Sequence, residues 1–217
     1  ITQLVRPGAP FLYGMNTAAL DMKTTIVSYG SPEWSLGMGA WAELARLYNL
    51  PIWGYGGATD SKVVDAQAGI EATFSIMNAF LSRVTLVHDL AYIEYGSTSS
   101  MEMLVIADEI IGMTRYMMDG LPVNKDTLAL EAIARVEPGA GFLADDHTMD
   151  NFRTAQWMPK IIDRNQYDVW QAGGSKDIFT RANERANQIL AEHEVLPLPE
   201  EAEKVIAEVL EERNSKK

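Results

Sequence analysis

The chain has 217 residues, with 30 acidic and 18 basic side chains, three histidines and no cysteine, and its formal net charge is −12. The 47% hydrophobic content and mean hydropathy of −0.09 exclude a disordered chain, and the shortage of basic charge argues against nucleic acid or an anionic membrane as the main partner. The missing cysteines exclude disulfides, thiolate nucleophiles and Cys-ligated zinc, and they fit a cytoplasmic location. Because the chain starts at Ile1 without a basic or apolar leader, we expect a cut end rather than a targeting sequence.

The first half of the chain alternates between short strands and helices. Residues 10–14 and 24–29 are β-type runs that end at glycine or at small residues. A helix is predicted over 33–50, because this segment is rich in Ala, Leu, Met and Trp and is followed by Pro51. Residues 52–55 are predicted to form the next strand.

A second helix is predicted after the glycine-rich loop at 56–60. Asp60 or Ser61 is placed to cap its first turn. One face of this helix carries large apolar side chains and is therefore expected to be buried. Its members are Val63, Ile70, Phe74, Met77 and Leu81.

A third helix follows a predicted strand at 84–88. Ser99 and Glu102 match a capping box, and an apolar stripe follows them. The stripe consists of Met103, Ile106, Ile110, Met113 and Met117. The order of strand, helix and strand is typical of βαβ units and predicts an α/β fold with a parallel sheet. After residue 98 we predict only helices and loops, with the strongest helices at 177–192 and 200–213.

The number of predicted strands is small for a closed barrel. About four strands lie in the first hundred residues, whereas a complete (β/α)8 barrel takes about 250 residues. Two interpretations follow: a small open sheet with a helical cap, or the C-terminal part of a barrel whose earlier strands are absent.

Functional groups of parallel α/β folds collect where strands end and helices begin. In this chain those positions are 13–16, 29–31, 55–60 and 88–96, and they hold aromatic and small residues with one histidine. The glycines of 54–57 favour a tight turn, or the close approach of a substrate to the backbone, over a phosphate site. The reason is that Thr59 stands where the third glycine of G-x-G-x-x-G belongs.

His88 is the histidine with the strongest indication of function. A lone histidine at the end of an apolar run is usually a hydrogen-bonded structural residue, but its place at the mouth of a presumed barrel favours function. His147 follows two aspartates in a predicted loop without a second histidine at ligand spacing, which indicates a solvated acidic loop rather than a metal site. His193 lies in the terminal helical region and is expected at the surface.

Several aromatic side chains lie near the ends of the predicted strands. They are Tyr13, Tyr29, Trp53, Tyr55, Tyr92 and Tyr95. They suit a packed core, and they also suit a quaternary ammonium ligand held by ring faces; periodicity leaves both interpretations open. The sequence contains no Ser/His/Asp triad, carboxylate pair or metal cluster, so the residues alone indicate a small-molecule site on an α/β scaffold.

Several motifs, in the expected order, resemble the trimethylamine methyltransferase superfamily. They are GATDSKVVDAQAGIE at 57–71, VHDLAYIEYG at 87–96, SMEMLV at 100–105 and DEIIGM at 108–113. The resemblance covers most of the chain. It implies that the chain is the C-terminal portion of a (β/α)8 TIM-type barrel followed by a helical tail. Residues 1–120 would form the last βα units, and residues 121–217 a helical extension packed on the barrel.

The resemblance also implies an activity. Members of the superfamily move a methyl group from a methylated amine to cob(I)alamin on a partner corrinoid protein. The trimethylamine-specific branch carries a pyrrolysine, whereas this chain has only standard residues, which favours the branch that demethylates quaternary amines such as glycine betaine. A tertiary methylamine demethylase and a catalytically inert barrel fragment are the alternatives. We expect no directly bound metal, and we expect a homo-oligomer.

The resemblance implies substrate-binding residues and no catalytic acid, because a fully alkylated nitrogen leaves as a neutral amine. His88 is the expected polar contact, for example to a betaine carboxylate. The other substrate-binding residues are expected to be two cation-facing tyrosines, Tyr55 and Tyr95, and three wall residues, Tyr13, Asn16 and Gly56.

Overall fold

A computed structural model describes residues 1–14 and 17–215. Its strands, in chain order, are β1 (Tyr13–Gly14), β2 (Ala19–Leu20), β3 (Val27–Ser28), β4 (Ile52–Tyr55), β5 (Leu86–His88), β6 (Tyr92–Ile93) and β7 (Thr98–Ser99). β1, β4 and β5 form a parallel sheet in that order. The other strands form two antiparallel pairs, β2 with β3 and β6 with β7.

Three long helices, at 32–47, 66–81 and 101–119, lie in the part of the chain that forms the parallel sheet or shortly after it. The helices, in chain order, are α1 (Thr2–Val5), α2 (Pro32–Leu47), α3 (Ala66–Leu81), α4 (Met101–Asp119), α5 (Lys125–Leu128), α6 (Leu130–Arg135), α7 (Asp146–Asn151), α8 (Tyr167–Ala172), α9 (Ile178–Glu192) and α10 (Glu200–Ser215). α3 connects β4 to β5, so these three elements form the predicted βαβ unit. The α/β character of the fold is thereby confirmed.

The predicted fourth strand of the sheet lies elsewhere. Of the β-type run at 24–29, only Val27–Ser28 forms a strand, and it pairs antiparallel with Ala19–Leu20. The described residues therefore contain a three-stranded parallel sheet with an accessory hairpin. Three strands do not close on themselves, and the (β/α)8 barrel stays a prediction for a longer protein.

The helix caps lie later than the sequence predicts. Asp65 caps α3 and Ser100 caps α4, each by accepting a hydrogen bond from the backbone N–H three residues on. The predicted caps at Asp60, Ser61 and Ser99 are wrong. Asp60 is engaged in contacts between loops, which sequence spacing does not reveal.

α3 buries a different face from the predicted one. Four members of the predicted stripe, Val63, Ile70, Phe74 and Leu81, are more than half exposed. The buried positions of this helix are Ala68, Ala72, Ser75, Ile76 and Ala79. Small side chains bring α3 close to its neighbours, and Ala68, Ala72 and Ile76 of this face share the largest core cluster with residues of α4.

α4 is anchored to the chain beyond it by a buried carboxylate. Met103, Ile106 and Ile110 of the predicted stripe are buried, but Met113 and Met117 are exposed. Glu109 is only 2% exposed, and its Oε1 accepts hydrogen bonds from the backbone N–H groups of residues 160, 161 and 162 at 2.8, 2.9 and 3.1 Å. These bonds compensate the burial of the carboxylate.

The chain divides into two compact units, Ile1–Ala186 and Asn187–Lys217. α9 begins in the first unit and ends in the second. In the second unit, α10 begins with three glutamates in its first turn, where the helix dipole favours negative charge. The division between residues 120 and 121, with the helical extension packed on the barrel, stays a prediction. Every helix of the described residues lacks either the length or the apolarity to cross a membrane.

Candidate functional site

His88 lies at the carboxyl end of β5, on an exposed surface of the parallel sheet. Its Nδ1 is 2.6 Å from Oδ1 of Asp89, and its side chain is 45% exposed. Its ring centroid lies 4.8 Å from that of Trp53, at an interplanar angle of 58°. Because Nδ1 is bound to Asp89, Nε2 is the ring nitrogen through which His88 can contact a ligand.

Trp53 supplies an accessible aromatic surface beside His88. The side chain is 50% exposed, although its neighbours in β4 are buried. Trp53 pairs in register with Leu86 and Gly14, so it lies on the middle strand of the sheet. An exposed indole next to an imidazole can bind a cation through its ring face and an anion through the neighbouring N–H.

The segment that follows His88 has an unusual backbone. Asp89, Glu94 and Tyr95 are non-glycine residues with positive φ angles of 74°, 50° and 47°, and Gly96 has a φ of 87°. L-residues adopt this region at a cost, and such residues collect at functional sites. Strand pairing between β6 and β7 and hydrogen bonds to the loop after β4 hold this backbone in place.

Tyr55 is a core residue, 3% exposed. Its ring stacks on Trp34 at a centroid distance of 3.5 Å, and the other stacking partner of Trp34 is Tyr29, at 4.2 Å. The Tyr55 hydroxyl donates to the backbone carbonyl of Trp34, and burial raises the pKa of this phenol. Tyr55 is thus placed in a buried stack of three rings rather than beside the His88 ring, and its cation-facing role stays a prediction.

The other expected site residues lie in different surroundings. Tyr95 is half-buried, and the Lys62 ammonium lies 5.9 Å from its ring centroid, so its ring already interacts with a cation. Tyr13 is half-buried against the cluster of Ala42, Ala45 and Ile52. Asn16 lies outside the described residues.

Gly56 is buried in the turn between β4 and α3. Its N–H donates to the carbonyl of His88 at 3.0 Å, and the N–H of Gly57 donates to the Ser75 hydroxyl at 2.9 Å. A Cβ on Gly56 would lie 3.3 Å from the Cα of Ile76. Both amides are used within the protein, which favours the tight-turn interpretation of these glycines over a phosphate cradle.

The acidic sequence around His147 begins a helix instead of forming the predicted loop. Asp145 caps α7, and the hydrogen-bonded Arg135 guanidinium holds the pKa of Asp145 below its usual range. Nε2 of His147 lies 2.8 Å from the carbonyl of Asp126. Among the described residues, no three His, Asp or Glu side chains are grouped as a metal ion requires.

Comparison with known proteins identifies the family. Residues 1–217 match the family described as trimethylamine methyltransferase (MTTB). The chain belongs to this family. The match confirms the resemblance carried by the motifs at 57–71, 87–96 and 100–113.

Curated members of the family have two different names. The chain is 36% identical over 212 residues to trimethylamine methyltransferase MttB of Desulfitobacterium hafniense (strain DSM 10664 / DCB-2), which covers 98% of this chain and 42% of the relative. It is 38% identical over 198 residues to MttB of Methanosarcina barkeri (strain Fusaro / DSM 804), covering 91% and 40%. It is 39% identical over 194 residues to glycine betaine methyltransferase of Desulfitobacterium hafniense (strain Y51), covering 89% and 40%. The chain spans about two fifths of the length of these trimethylamine methyltransferase family members.

Three features of the site are absent from the sequence-based prediction. The sequence does not distinguish Trp53 from the other five aromatic residues near strand ends, and its exposed position follows from its place between Ile52 and Gly54, which are buried on the opposite face of the strand. The contact of Asp89 with the His88 ring follows from adjacency along the chain. The contacts of Glu71 with the loop at 59–60 have no local signal, since they depend on how α3 packs.

Proposed function

We propose that the chain is part of an enzyme that moves a methyl group from a quaternary amine of the glycine betaine type to cob(I)alamin on a partner corrinoid protein. The observation that carries this proposal is the exposed pair of Trp53 and His88 at the end of a parallel sheet, in a chain of this family. We further propose that the complete enzyme works as a homo-oligomer in the cytoplasm.

The two exposed rings match the two charges of a betaine. The indole face of Trp53 suits a trimethylammonium group, which has no N–H and therefore cannot form a conventional hydrogen bond. An N–H at Nε2 of His88 suits a carboxylate. Oδ1 of Asp89 lies 2.6 Å from Nδ1 and fixes the orientation of the ring.

The tasks of the protein in this reaction are binding tasks. Cob(I)alamin supplies the nucleophile, and the methyl carbon must lie in line with the departing nitrogen. The nitrogen leaves as a neutral tertiary amine, so no side chain has to donate a proton. Orientation of the ammonium group and exclusion of water are then the contributions expected of the aromatic residues.

A tertiary methylamine is the second candidate substrate. It is favoured by the relatives named trimethylamine methyltransferase, which are 36% and 38% identical to this chain. Trimethylamine has no carboxylate that could bind His88. Unless its nitrogen were protonated first, demethylation would also have to expel a poorer leaving group than the neutral amine released from a quaternary ammonium. A further alternative is that the 217 residues alone are catalytically inert.

A substrate panel separates these proposals. The intact enzyme with its corrinoid protein would be given glycine betaine, other quaternary amines and trimethylamine, and methylation of cob(I)alamin would be followed by absorbance. We expect turnover with at least one quaternary amine and none with trimethylamine. Turnover of trimethylamine alone would establish the second candidate, and no turnover of any amine would refute the methyl transfer. The same assay on the 217-residue chain tests whether it is inert by itself.

A further inference from the structure

Glu71 is a carboxylate of α3 that holds the loop after β4. Its Oε2 accepts hydrogen bonds from the Thr59 hydroxyl at 2.5 Å and from the backbone N–H of Asp60 at 2.7 Å. Its Oε1 accepts from the side-chain amide of Gln67 at 2.8 Å. A Cβ on Gly30 would overlap this carboxylate, so the chain before α2 also lies against it.

Asp60 extends this connection to the end of β3. Its Oδ1 accepts from the backbone N–H of Tyr29 at 2.7 Å, and its Oδ2 accepts from the Ser28 hydroxyl. Tyr29 is the outer ring of the stack with Trp34 and Tyr55. The two carboxylates therefore join three stretches of chain: the end of β3, the loop after β4 and the first turns of α3.

The same loop supports the strained segment after β5. The N–H of Thr59 donates to the carbonyl of Tyr92 at 3.0 Å, and the N–H of Tyr95 donates back to the carbonyl of Thr59 at 3.1 Å. The N–H of Glu94 donates to the carbonyl of Ser61 at 2.8 Å. Residues 59–61 thus lie between the Glu71 carboxylate and the segment at 92–95, whose residues Glu94 and Tyr95 have positive φ angles.

We infer that Glu71 and Asp60 are positioning residues of the methyl-transfer site. By fixing residues 59–61, they fix the backbone of 92–95 and with it the ring of Tyr95 and the segment that begins at His88. Neither carboxylate has to touch the substrate for this role. The inference rests on the proposed function for its effect on turnover, but its effect on the loops is independent of any activity.

The test compares Glu71→Ala, Glu71→Gln and Thr59→Val in the complete enzyme. Alanine removes all three bonds of Glu71, whereas glutamine keeps an oxygen for Thr59 and Asp60. Thr59→Val keeps the shape of the side chain but removes the hydroxyl, which donates to Glu71 and accepts from the N–H of Ser61 at 3.0 Å, and it serves where Glu71→Ala does not fold. Gln67→Ala is the matched control, because it removes only the exposed partner of Glu71.

Two measurements are made on each variant. Amide hydrogen exchange is followed at Asp60 and Tyr95, and the KM is measured, with the corrinoid protein in excess, for a quaternary amine that the wild-type enzyme demethylates. We expect Glu71→Ala to raise both exchange rates and the KM by about tenfold or more, which corresponds to the loss of about 1.4 kcal/mol. Thr59→Val should have a smaller effect of the same kind. In Glu71→Gln the exchange rates and the KM should lie much closer to wild type than in Glu71→Ala, and in Gln67→Ala they should stay near wild type.

Each result has a defined meaning. Unchanged exchange in Glu71→Ala, or in Thr59→Val where the first variant does not fold, would overturn the inference. Faster exchange with an unchanged KM would also overturn it, since Glu71 would then be only a structural residue. A wild-type enzyme without turnover would refute the proposed function, while the exchange rates would still decide whether the carboxylates hold the loops.

Discussion

At the scale of single residues, His88 is the side chain on which the proposed chemistry depends most. We expect His88→Ala to lower kcat/KM for a betaine about 10- to 100-fold in the complete enzyme, because a hydrogen bond to a charged group contributes about 1.5–3 kcal/mol. His88→Asn keeps a donor near the position of Nδ1 but has no counterpart of Nε2, so it should be equally impaired. The measurement is the initial rate of cob(I)alamin methylation.

His193→Ala provides the control for this prediction. His193 is exposed and follows the last residue of α9, so its replacement should leave the rate unchanged. Wild-type activity in His88→Ala would contradict the assignment of His88. Loss of activity in His88→Ala with full activity in His88→Asn would show that the contact with Asp89 is the feature that matters.

Two glycines give opposite expectations for the same substitution. Gly57 has a φ of 86°, and a Cβ there would lie 3.0 Å from the Cα of Leu90, so Gly57→Ala should lower the free energy of unfolding by at least about 1–2 kcal/mol. Gly69 lies inside α3 with open space around its Cβ position, so Gly69→Ala should raise it by about 0.5–1 kcal/mol. Urea unfolding of both variants measures the two changes. The reverse order of stabilities would contradict the turn geometry described for Gly57.

Single positions also show how far sequence reasoning reaches at the site. His88 ends a parallel strand, as predicted, because local residue types indicate where a strand ends. Tyr55 is at a strand end as well, yet it is buried under Trp34. Whether an aromatic ring at a strand end is buried depends on the helix that covers it, and that helix lies about twenty residues away in the sequence. Tyr55 and Trp53 therefore look alike in the sequence and differ in the structure.

At the scale of elements, the helices themselves follow from the sequence better than their buried faces do. α2, α3, α4, α9 and α10 all lie where periodicity and propensity predict helices. In α3, however, a stripe of large apolar residues and a stripe of small residues compete, and the small stripe is buried. Large side chains predict burial only if the neighbours leave room for them, whereas alanine and serine permit close packing. Hydrophobicity alone does not choose between the two faces.

The contact between α4 and α9 predicts a dependence of stability on pH. Hydrogen bonds from Ser100, at 2.6 Å, and from Asn183, at 2.7 Å, lower the pKa of Glu102. A carboxyl group whose pKa is lower in the folded state stabilises the fold above its unfolded pKa, and this contribution is lost as the pH falls through the folded pKa. Urea midpoints measured from pH 7 down to about 3 should therefore fall less steeply in Glu102→Gln than in wild type.

Glu43→Gln is the control for that experiment. Glu43 is an exposed residue of α2, so its replacement should leave the wild-type pH dependence in place. If Glu102→Gln and wild type lost stability in parallel as the pH is lowered, the hydrogen bonds to Glu102 would not contribute as described.

At the scale of the whole molecule, the sheet has surfaces that its own residues leave open. Within the described residues, β5 pairs with β4 on one side, and all three of its residues are exposed. Trp53 and Leu86, which are adjacent in register, are each about half exposed. In relatives that are more than twice as long, additional chain is available to cover such surfaces. The sequence predicts too few strands for a closed barrel. Which strands lie at the edges of the sheet follows only from the pairing order, β1, β4 and β5.

The open edge of β5 leads to a prediction for the 217-residue chain in solution. An exposed apolar edge strand pairs readily with another chain, and charged side chains, lysine above all, suppress such pairing. Sedimentation velocity should therefore show concentration-dependent association of the chain, and Leu86→Lys should shift the weight-average mass towards the 24.0 kDa monomer. Leu47→Lys adds the same charge at an exposed position of α2 rather than on β5, and it should associate as the parent chain does. If the two lysine variants associated equally, the contact would lie elsewhere than at β5. The added positive charge alone would then account for any difference from the parent chain.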